Sequence, residues 1–568
     1  MPFSYNKDRM IEEFAKYMIA DELPFNHGES KNLEYFNRVA LQPLYRAVPR
    51  NTLKRHTQSQ YYEERGKLME MFRNLDCRVC LTTDTWSSLQ DEPFMCVTAH
   101  WIDDNWILQK RIIAFEVMYE SHNGVNIKTR LIDVCKRFHL VDKIFTLSVD
   151  NATANTKAID FLILDQNFPK ILNGELFHIR CCAHVLNLSA QDGLTELQPL
   201  IGPIRQVIKW IRCKGECKRE YIRKCRELGL KKRLHPLDCK TRWNSTYKML
   251  SGALLYRDVL SSIYNTRVDE SQAVTDTQWD LAKQVCDVLK AYYDATLVFS
   301  FVYEPNVHLV LLHACQVVIT INQYMDVPVL IPILNNMKSK WLNYFMNIPP
   351  IYTIATILDP GVNFRGTLNL LEFYYSTLQV TFDVNSYLDH CKKILFELFS
   401  YYASIYDPES VQSRQIPTSR FNPIMASIIN KSFASGSGSS SSSSTSEIDD
   451  YINTRWETST NNFHILKWWK AKSSKYPVLS RIAKDILAIP ASTIASESAF
   501  SAGRRVLDEK RSRLSPANIE MCVCKKDWDQ AQKRTQGILE EDDEDSDDPF
   551  MQLSTETETS TDVEGEAN

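Results

Sequence analysis

The sequence predicts an α/β fold in which a mixed five-stranded sheet is interrupted by a large all-helical insertion and followed by a helical C-terminal region. Three observations predict it. Segments with strand character are confined to residues 78–180, apolar residues at helical spacing dominate from about 250 to 425, and two aspartates, Asp84 and Asp150, stand alone at the ends of strand-like segments.

The elements follow in order. Arg78–Asp84, Pro93–Trp101 and Trp106–Phe115 are rich in β-branched, aromatic and other apolar residues and are separated by short polar turns, which predicts an antiparallel meander. Helical spacing in 127–138 predicts a helix, Lys143–Asp150 a fourth strand, 154–164 a helix, a stretch around Leu176–Arg180 a short fifth strand, and a further helix begins near Ala183. Three strands, helix, strand, helix, strand, helix is the order of the ribonuclease H-like fold, which sets the first and fourth strands side by side. Asp84 and Asp150 would then be neighbours, although a single Asp at a strand end is more often a turn residue. Beyond residue 250, segments such as 279–289 and 307–319 keep a spacing near 3.6 with no strand of comparable strength between them.

The predicted organisation is a helical N-terminal region (1–75), the first part of the sheet domain (76–250), the helical insertion (251–430), a Ser/Gly linker (431–446), a C-terminal region (447–530) and a disordered acidic tail (531–568). No apolar run reaches the ~18 residues of a membrane span, and the first residues lack the apolar segment of a signal peptide, so no membrane partner is expected. The 15 cysteines sit largely in apolar stretches, as buried thiols do in a reducing compartment.

Charge is unevenly spread. Residues 540–568 hold 13 of the 70 acids and no Lys or Arg, so residues 1–539 carry 66 basic against 57 acidic side chains. The basic residues concentrate between Arg212 and Arg242, where 12 Lys and Arg, including Lys231, Lys232 and Arg233, face four acids. Such a block can follow a phosphate backbone, act as a nuclear address, or be no more than a solvated helix face. A third isolated acid, Glu497, follows Ser492 and Ser496 after Pro490, which places it early in a helix where the positive dipole end favours its ionised form. Three scattered acids are the ligand set of a two-metal phosphoryl-transfer site, where paired Mg²⁺ or Mn²⁺ ions stabilise both the attacking and the leaving oxygen.

From Leu23 to Trp528 the chain resembles the hAT transposases, in particular the plant Ricesleeper- and Daysleeper-type members with a BED zinc finger. The carriers are Leu23-Pro-Phe25, Pro43-Leu-Tyr-Arg-Ala-Val-Pro49, Thr83-Asp84-Thr-Trp86, Asp150-Asn-Ala-Thr-Ala-Asn155, Cys181-Cys-Ala-His184, Thr241-Arg242-Trp243, Leu358-Asp-Pro360, and the block from Trp468-Trp469 to Ser496-Glu497-Ser-Ala-Phe500-Ser501. The last block is highly specific; Cys-x-x-His or Thr-Arg-Trp alone is weak.

The resemblance implies that Asp84, Asp150 and Glu497 are catalytic and bind two Mg²⁺ (or Mn²⁺) ions, with the insertion lying between the sheet and the third acid. It implies nicking beside terminal repeats, hairpin formation on flanking DNA by the freed 3′ hydroxyl, and transfer of the ends to a target. It further implies that Arg242 and Trp243 work on DNA beside the cleavage site, that Cys181 and His184 lie near the active site, and that Trp468, Trp469, Tyr476, Leu479, Ile482 and Phe500 belong to a dimerisation region. DNA, a second copy of the chain and a nuclear location follow. Cys181-x-x-His184 lacks a second pair at finger spacing, so no structural zinc is expected, and nothing before Leu23 supplies the Cys and His pairs of a BED finger. Two functions fit: a Mg²⁺-dependent DNA transposase, or a domesticated or truncated relative that binds DNA and dimerises without catalysis.

Overall fold

The computed structural model describes residues 4–87, 92–239, 243–268, 273–406, 445–454, 463–507 and 514–536. Of the Ser/Gly linker (431–446) expected from composition only 445–446 fall within these residues, at the start of a helix; of the tail (531–568) expected to be disordered, residues 531–536 instead finish the last helix, and the remainder of both segments lies outside the described residues.

The sheet forms as the sequence predicts. β1 (Val79–Ser87), β2 (Pro93–Ile102) and β3 (Leu108–Val117) make the antiparallel meander, and β4 (Ile144–Val149) and β5 (His178–Arg180) add in parallel, giving the order β3-β2-β1-β4-β5. β2 and β4 are almost wholly buried, which is why both read as near-continuous apolar runs. The crossover helices are α4 (Gly124–Arg137), capped by the Asn123 side chain on the Asn126 N–H at 3.0 Å, and α5 (Thr153–Leu164). Ahead of the sheet lie α1 (Lys7–Ala20), α2 (Lys31–Phe36) and α3 (Arg50–Asn74).

After β5 the chain leaves the sheet. α6 (Cys182–Leu194), α7 (Gln198–Cys213), α8 (Gly215–Glu227), α9 (Trp243–Leu254), α10 (Arg257–Asn265), α11 (Asp276–Ser300), α12 (Val310–Gln323), α13 (Ile331–Phe345), α14 (Pro350–Ile357), α15 (Asn363–Leu378) and α16 (Val384–Tyr406) follow with no described strand among them. Their apolar faces build a second core, which also takes in strand residues such as Cys80, Phe145 and Ile179.

The C-terminal helices are α17 (Thr445–Asn453), α18 (Ile465–Lys472), α19 (Pro477–Leu487), α20 (Ile494–Val506) and α21 (Pro516–Thr535). α20 and α21 return to complete the sheet core. α20 packs across β1, β2 and β3, and α21 lies on β3. At Gly503 a Cβ would come within 2.6 Å of the Phe115 ring, so the close approach of α20 to β3 depends on the absence of a side chain there. α21 is fixed by Trp528, whose Nε1 donates to the Ile112 carbonyl at 2.9 Å, and by a buried Lys110–Asp527 ion pair. The sheet domain is therefore assembled from both sides of the helical insertion.

Candidate active site

The two aspartates lie where the parallel pairing of β1 and β4 stops. The last residue pair joining the two strands is Thr82 with Ser148; Asp84, expected at the end of its strand, stands two positions further inside β1, which runs on to Ser87 paired with β2, and Asp150 is the first residue after β4. A two-residue step preserves the face, so both acids project from the face that Thr82 and Ser148 occupy. That face is met by the start of α20: the Thr82 and Ser496 hydroxyls are 2.6 Å apart, and Ser148 Oγ donates to the Pro490 carbonyl at 2.9 Å. Glu497 follows Ser496 directly, in the first turn of α20.

Each carboxylate is anchored through one oxygen. Asp84 Oδ1 accepts from its neighbour Thr85 N at 2.8 Å. Asp150 Oδ1 accepts from Ala152 N at 2.9 Å and from the buried Asn155 Nδ2 at 2.6 Å. The Thr493 hydroxyl lies 3.5 Å from Glu497 Oε1. The second oxygen of each acid has no hydrogen-bond partner, and no Lys, Arg or His pairs with any of the three, among the described residues. Burial first, then the charge of Asp150 and less strongly that of Glu497, push the Asp84 carboxyl up to about 7, against the hydrogen bond from Thr85. Glu497 is exposed over much of its surface, yet desolvation of its carboxyl and the charge of Asp150 raise its pKa, against the Thr493 hydrogen bond.

Asn151, next to Asp150, has both carboxamide atoms buried and unpartnered. Uncompensated carboxylates beside an orphaned carboxamide form a donor set that suits a hard cation and its water. The spacing is open, however: among the described residues no three His, Cys, Asp or Glu side chains are gathered closely enough to hold a metal ion.

The other expected site residues fall into three groups. Cys181 lies beside the acids. It N-caps α6 by accepting the His184 N–H at 3.4 Å, its own N–H donates to the Val149 carbonyl, and its sulfur accepts from Thr493 N at 3.3 Å and lies 3.3 Å from Thr493 Oγ1. Burial pushes its thiol up to about 11. The His184 ring is half-buried on the first turn of α6.

Lys231, Lys232 and Arg233 form part of the segment after α8, a helix that packs on α7 and α10 rather than against the acids. Its buried residues are Cys217, Tyr221 and Cys225, which turns Lys218, Arg219, Arg223 and Arg226 outward. Arg242 lies outside the described residues. Trp243, at the start of α9, is 3% exposed with its ring edge-on to Tyr292, so in this conformation it offers no face on which a base could stack.

The residues expected at a dimer face are mostly inside the chain. Trp469, Tyr476, Leu479, Ile482 and Phe500 are buried, and Trp468 is half-buried. Trp469 Nε1 donates to the Leu358 carbonyl at 3.0 Å, the Tyr476 hydroxyl to Asp450 at 2.6 Å, and Phe500 stacks on Trp86 and meets Phe115 at a tilt. These side chains therefore have intramolecular partners. Sequence reasoning missed the role of Asn155, whose signal is an amide five positions after an acid at a strand-to-helix turn.

Residues 82–176 match the ZBED1 RNase-like domain, 179–288 the ZBED1 RNase-like helical domain, and 447–528 the hAT family C-terminal dimerisation region. The chain belongs to the hAT transposase family. It is 29% identical over 547 residues to a putative AC transposase of Zea mays, covering 94% of this chain and 66% of that protein. It is 27% identical over 551 residues to zinc finger BED domain-containing protein RICESLEEPER 2 of Oryza sativa subsp. japonica, covering 92% of this chain and 75% of the relative. To DAYSLEEPER of Arabidopsis thaliana it is 24% identical over 532 residues, 92% and 74% of the two chains. This hAT chain thus spans about two thirds of the length of the maize relative. Among the described residues no helix is long and apolar enough to cross a membrane.

Proposed function

We propose that this chain carries the phosphoryl-transfer centre of a hAT-type transposase, with Asp84, Asp150 and Glu497 holding two Mg²⁺ or Mn²⁺ ions for DNA cleavage and strand transfer. The single observation that carries the reading is the shared face: three carboxylates, each anchored by one oxygen and open at the other, with no neighbouring cation to neutralise them. Bound ions would stabilise the charge that develops on the attacking and leaving oxygens of phosphate displacement.

The protein's own residues supply orientation. Asn155 and the Ala152 N–H occupy Asp150 Oδ1 and thereby direct Oδ2 outward. The Thr85 N–H does the same for Asp84. Thr493, bridging Cys181 and Glu497, fixes the first turn of α20 against the strand ends. The outward cations of α8, with Lys231 and Lys232 after it, would hold DNA phosphates and give a binding term that weakens steeply with salt. The partners are DNA and a second copy of the chain, and the location is the nucleus, supported by the dimerisation-region match and the transposase names of the relatives.

One observation favours a second reading, a DNA-binding and self-associating chain without catalysis: the three acids are not gathered to ligand distance. The test is nicking of duplex DNA carrying an element's terminal repeats with Mg²⁺ or Mn²⁺, comparing the wild type with Glu497→Gln. Metal-dependent nicking lost in the variant supports the first reading. A folded, DNA-binding protein that never nicks supports the second.

A further inference from the structure

We propose that the helical insertion sets the position of Glu497 through two buried side chains, Asn306 and Ser492, making both positioning residues for the third carboxylate. The inference rests on the reading of the three acids as metal ligands and adds to it a physical link between the insertion and the site.

Asn306 lies between α11 and α12 and is 2% exposed. Its Nδ2 is 3.3 Å from the Phe299 carbonyl and 3.0 Å from that of Phe301, groups at the end of α11 that lack an intrahelical partner. Its Oδ1 accepts the Ala491 N–H at 3.0 Å. One carboxamide therefore closes the C-terminal end of a 25-residue helix and grips the connecting segment that leads to Glu497.

Ser492 makes the second tie. Its buried hydroxyl donates to the same Phe299 carbonyl at 2.6 Å and lies 3.4 Å from the N–H of Ile494, the first residue of α20. The opposite side of this segment is held by the sheet domain and the start of α6, through Ser148 on the Pro490 carbonyl and the Cys182 N–H on the Ala491 carbonyl. The segment is gripped from both bodies of the protein, and Glu497 sits one helical turn beyond the grip.

Two features make the tie more than packing. The partners are polar groups buried away from water, so a shift of the α11 end relative to Ala491 would leave donors and acceptors unsatisfied and is opposed by their desolvation. α20 starts within three residues of Ala491, so a displacement there moves Glu497 as part of a rigid helix. α11 packs on α6, α7, α9 and α12, and α7 in turn packs on α8 with its outward cations. A polyanion held on α8 and the carboxylate of Glu497 are therefore joined by contiguous packing that ends in Asn306.

The test uses the full chain and thermal unfolding with increasing MnCl₂, since an ion that binds the folded state raises the melting temperature with its occupancy. The wild type is expected to be stabilised, Glu497→Gln to lose that response, and Asn306→Ala and Ser492→Ala each to need about tenfold more Mn²⁺ for half the shift. Tyr374→Phe is the control. It removes the hydroxyl linking Trp341 Nε1 to the Phe345 carbonyl inside the insertion and should lower the melting temperature without moving the Mn²⁺ midpoint. If Asn306→Ala fails to fold, the smaller change at Ser492 carries the comparison. Wild-type midpoints in the folded variants would overturn the link while leaving the metal reading intact. A wild type without an Mn²⁺ response, or a Glu497→Gln variant that keeps it, would overturn the metal reading and the link together.

Discussion

The two ends of β1 each gather three acids, and they treat them in opposite ways. Around the start of the strand, Asp76, Asp104 and Asp485 line a cavity of about 300 Å³ together with Arg481 and Lys484. Every acid there is matched. Arg481 pairs with Asp76 at 2.9 Å and Lys484 with Asp104 at 3.1 Å, while buried Asp485 accepts from the Arg78 N–H at 3.1 Å and the Tyr402 hydroxyl at 2.6 Å, one on each oxygen. At the far end Asp84, Asp150 and Glu497 each keep an oxygen open and have no cation beside them among the described residues. A fold gains nothing from leaving like charges together, so the unmatched end is where a ligand is expected to supply the missing charge.

The largest effect that could break this comparison is catalytic. Glu497→Gln should reduce metal-dependent nicking by roughly 10³-fold while leaving the fold intact, as single-turnover assays and circular dichroism would show. The matched end should answer through stability instead. Asp485→Ala strands the Arg78 N–H and the Tyr402 hydroxyl and should cost about 2–3 kcal/mol in urea unfolding, with the Mn²⁺ midpoint unmoved. A shifted midpoint would mean that the two ends are not independent.

Smaller effects should run in opposite directions. Asp84→Asn removes one charge from the unmatched set and should raise the melting temperature of the metal-free protein by a few degrees while abolishing its response to Mn²⁺. The smallest is a pH effect. Burial, against the hydrogen bonds from Tyr402 and Arg78, pushes the Asp485 carboxyl up to about 6, above its ordinary range. For a carboxyl raised on folding, the stabilising contribution is complete below the unfolded value and lost as pH rises through the folded one. Asp485→Asn, which keeps an acceptor for Arg78 and carries no charge, should therefore flatten the stability profile between about pH 4 and 6.

Much of this was legible from local pattern. The five strands announce themselves by composition, and Asp84 and Asp150 stand out as single acids on otherwise apolar strands. Their adjacency followed from strand order alone. The polar ties were not legible, because their partners are far apart in sequence: Ser492 with Phe299, Ala491 with Asn306, Thr82 with Ser496. Trp243, given a role on DNA by the resemblance alone, is packed against Tyr292, as a Trp in a helical region usually is. The packing of the aromatic block around Trp469 within its own chain was not legible either, since the Trp469 indole donates to the Leu358 carbonyl more than a hundred residues away.

The most direct test of the central claim is a count of bound Mn²⁺ by electron paramagnetic resonance of the free ion, for the wild type and for Asp84→Asn, Asp150→Asn and Glu497→Gln. The account predicts two saturable sites in the wild type and fewer in every variant. No saturable binding, or two sites that survive all three substitutions, would contradict it.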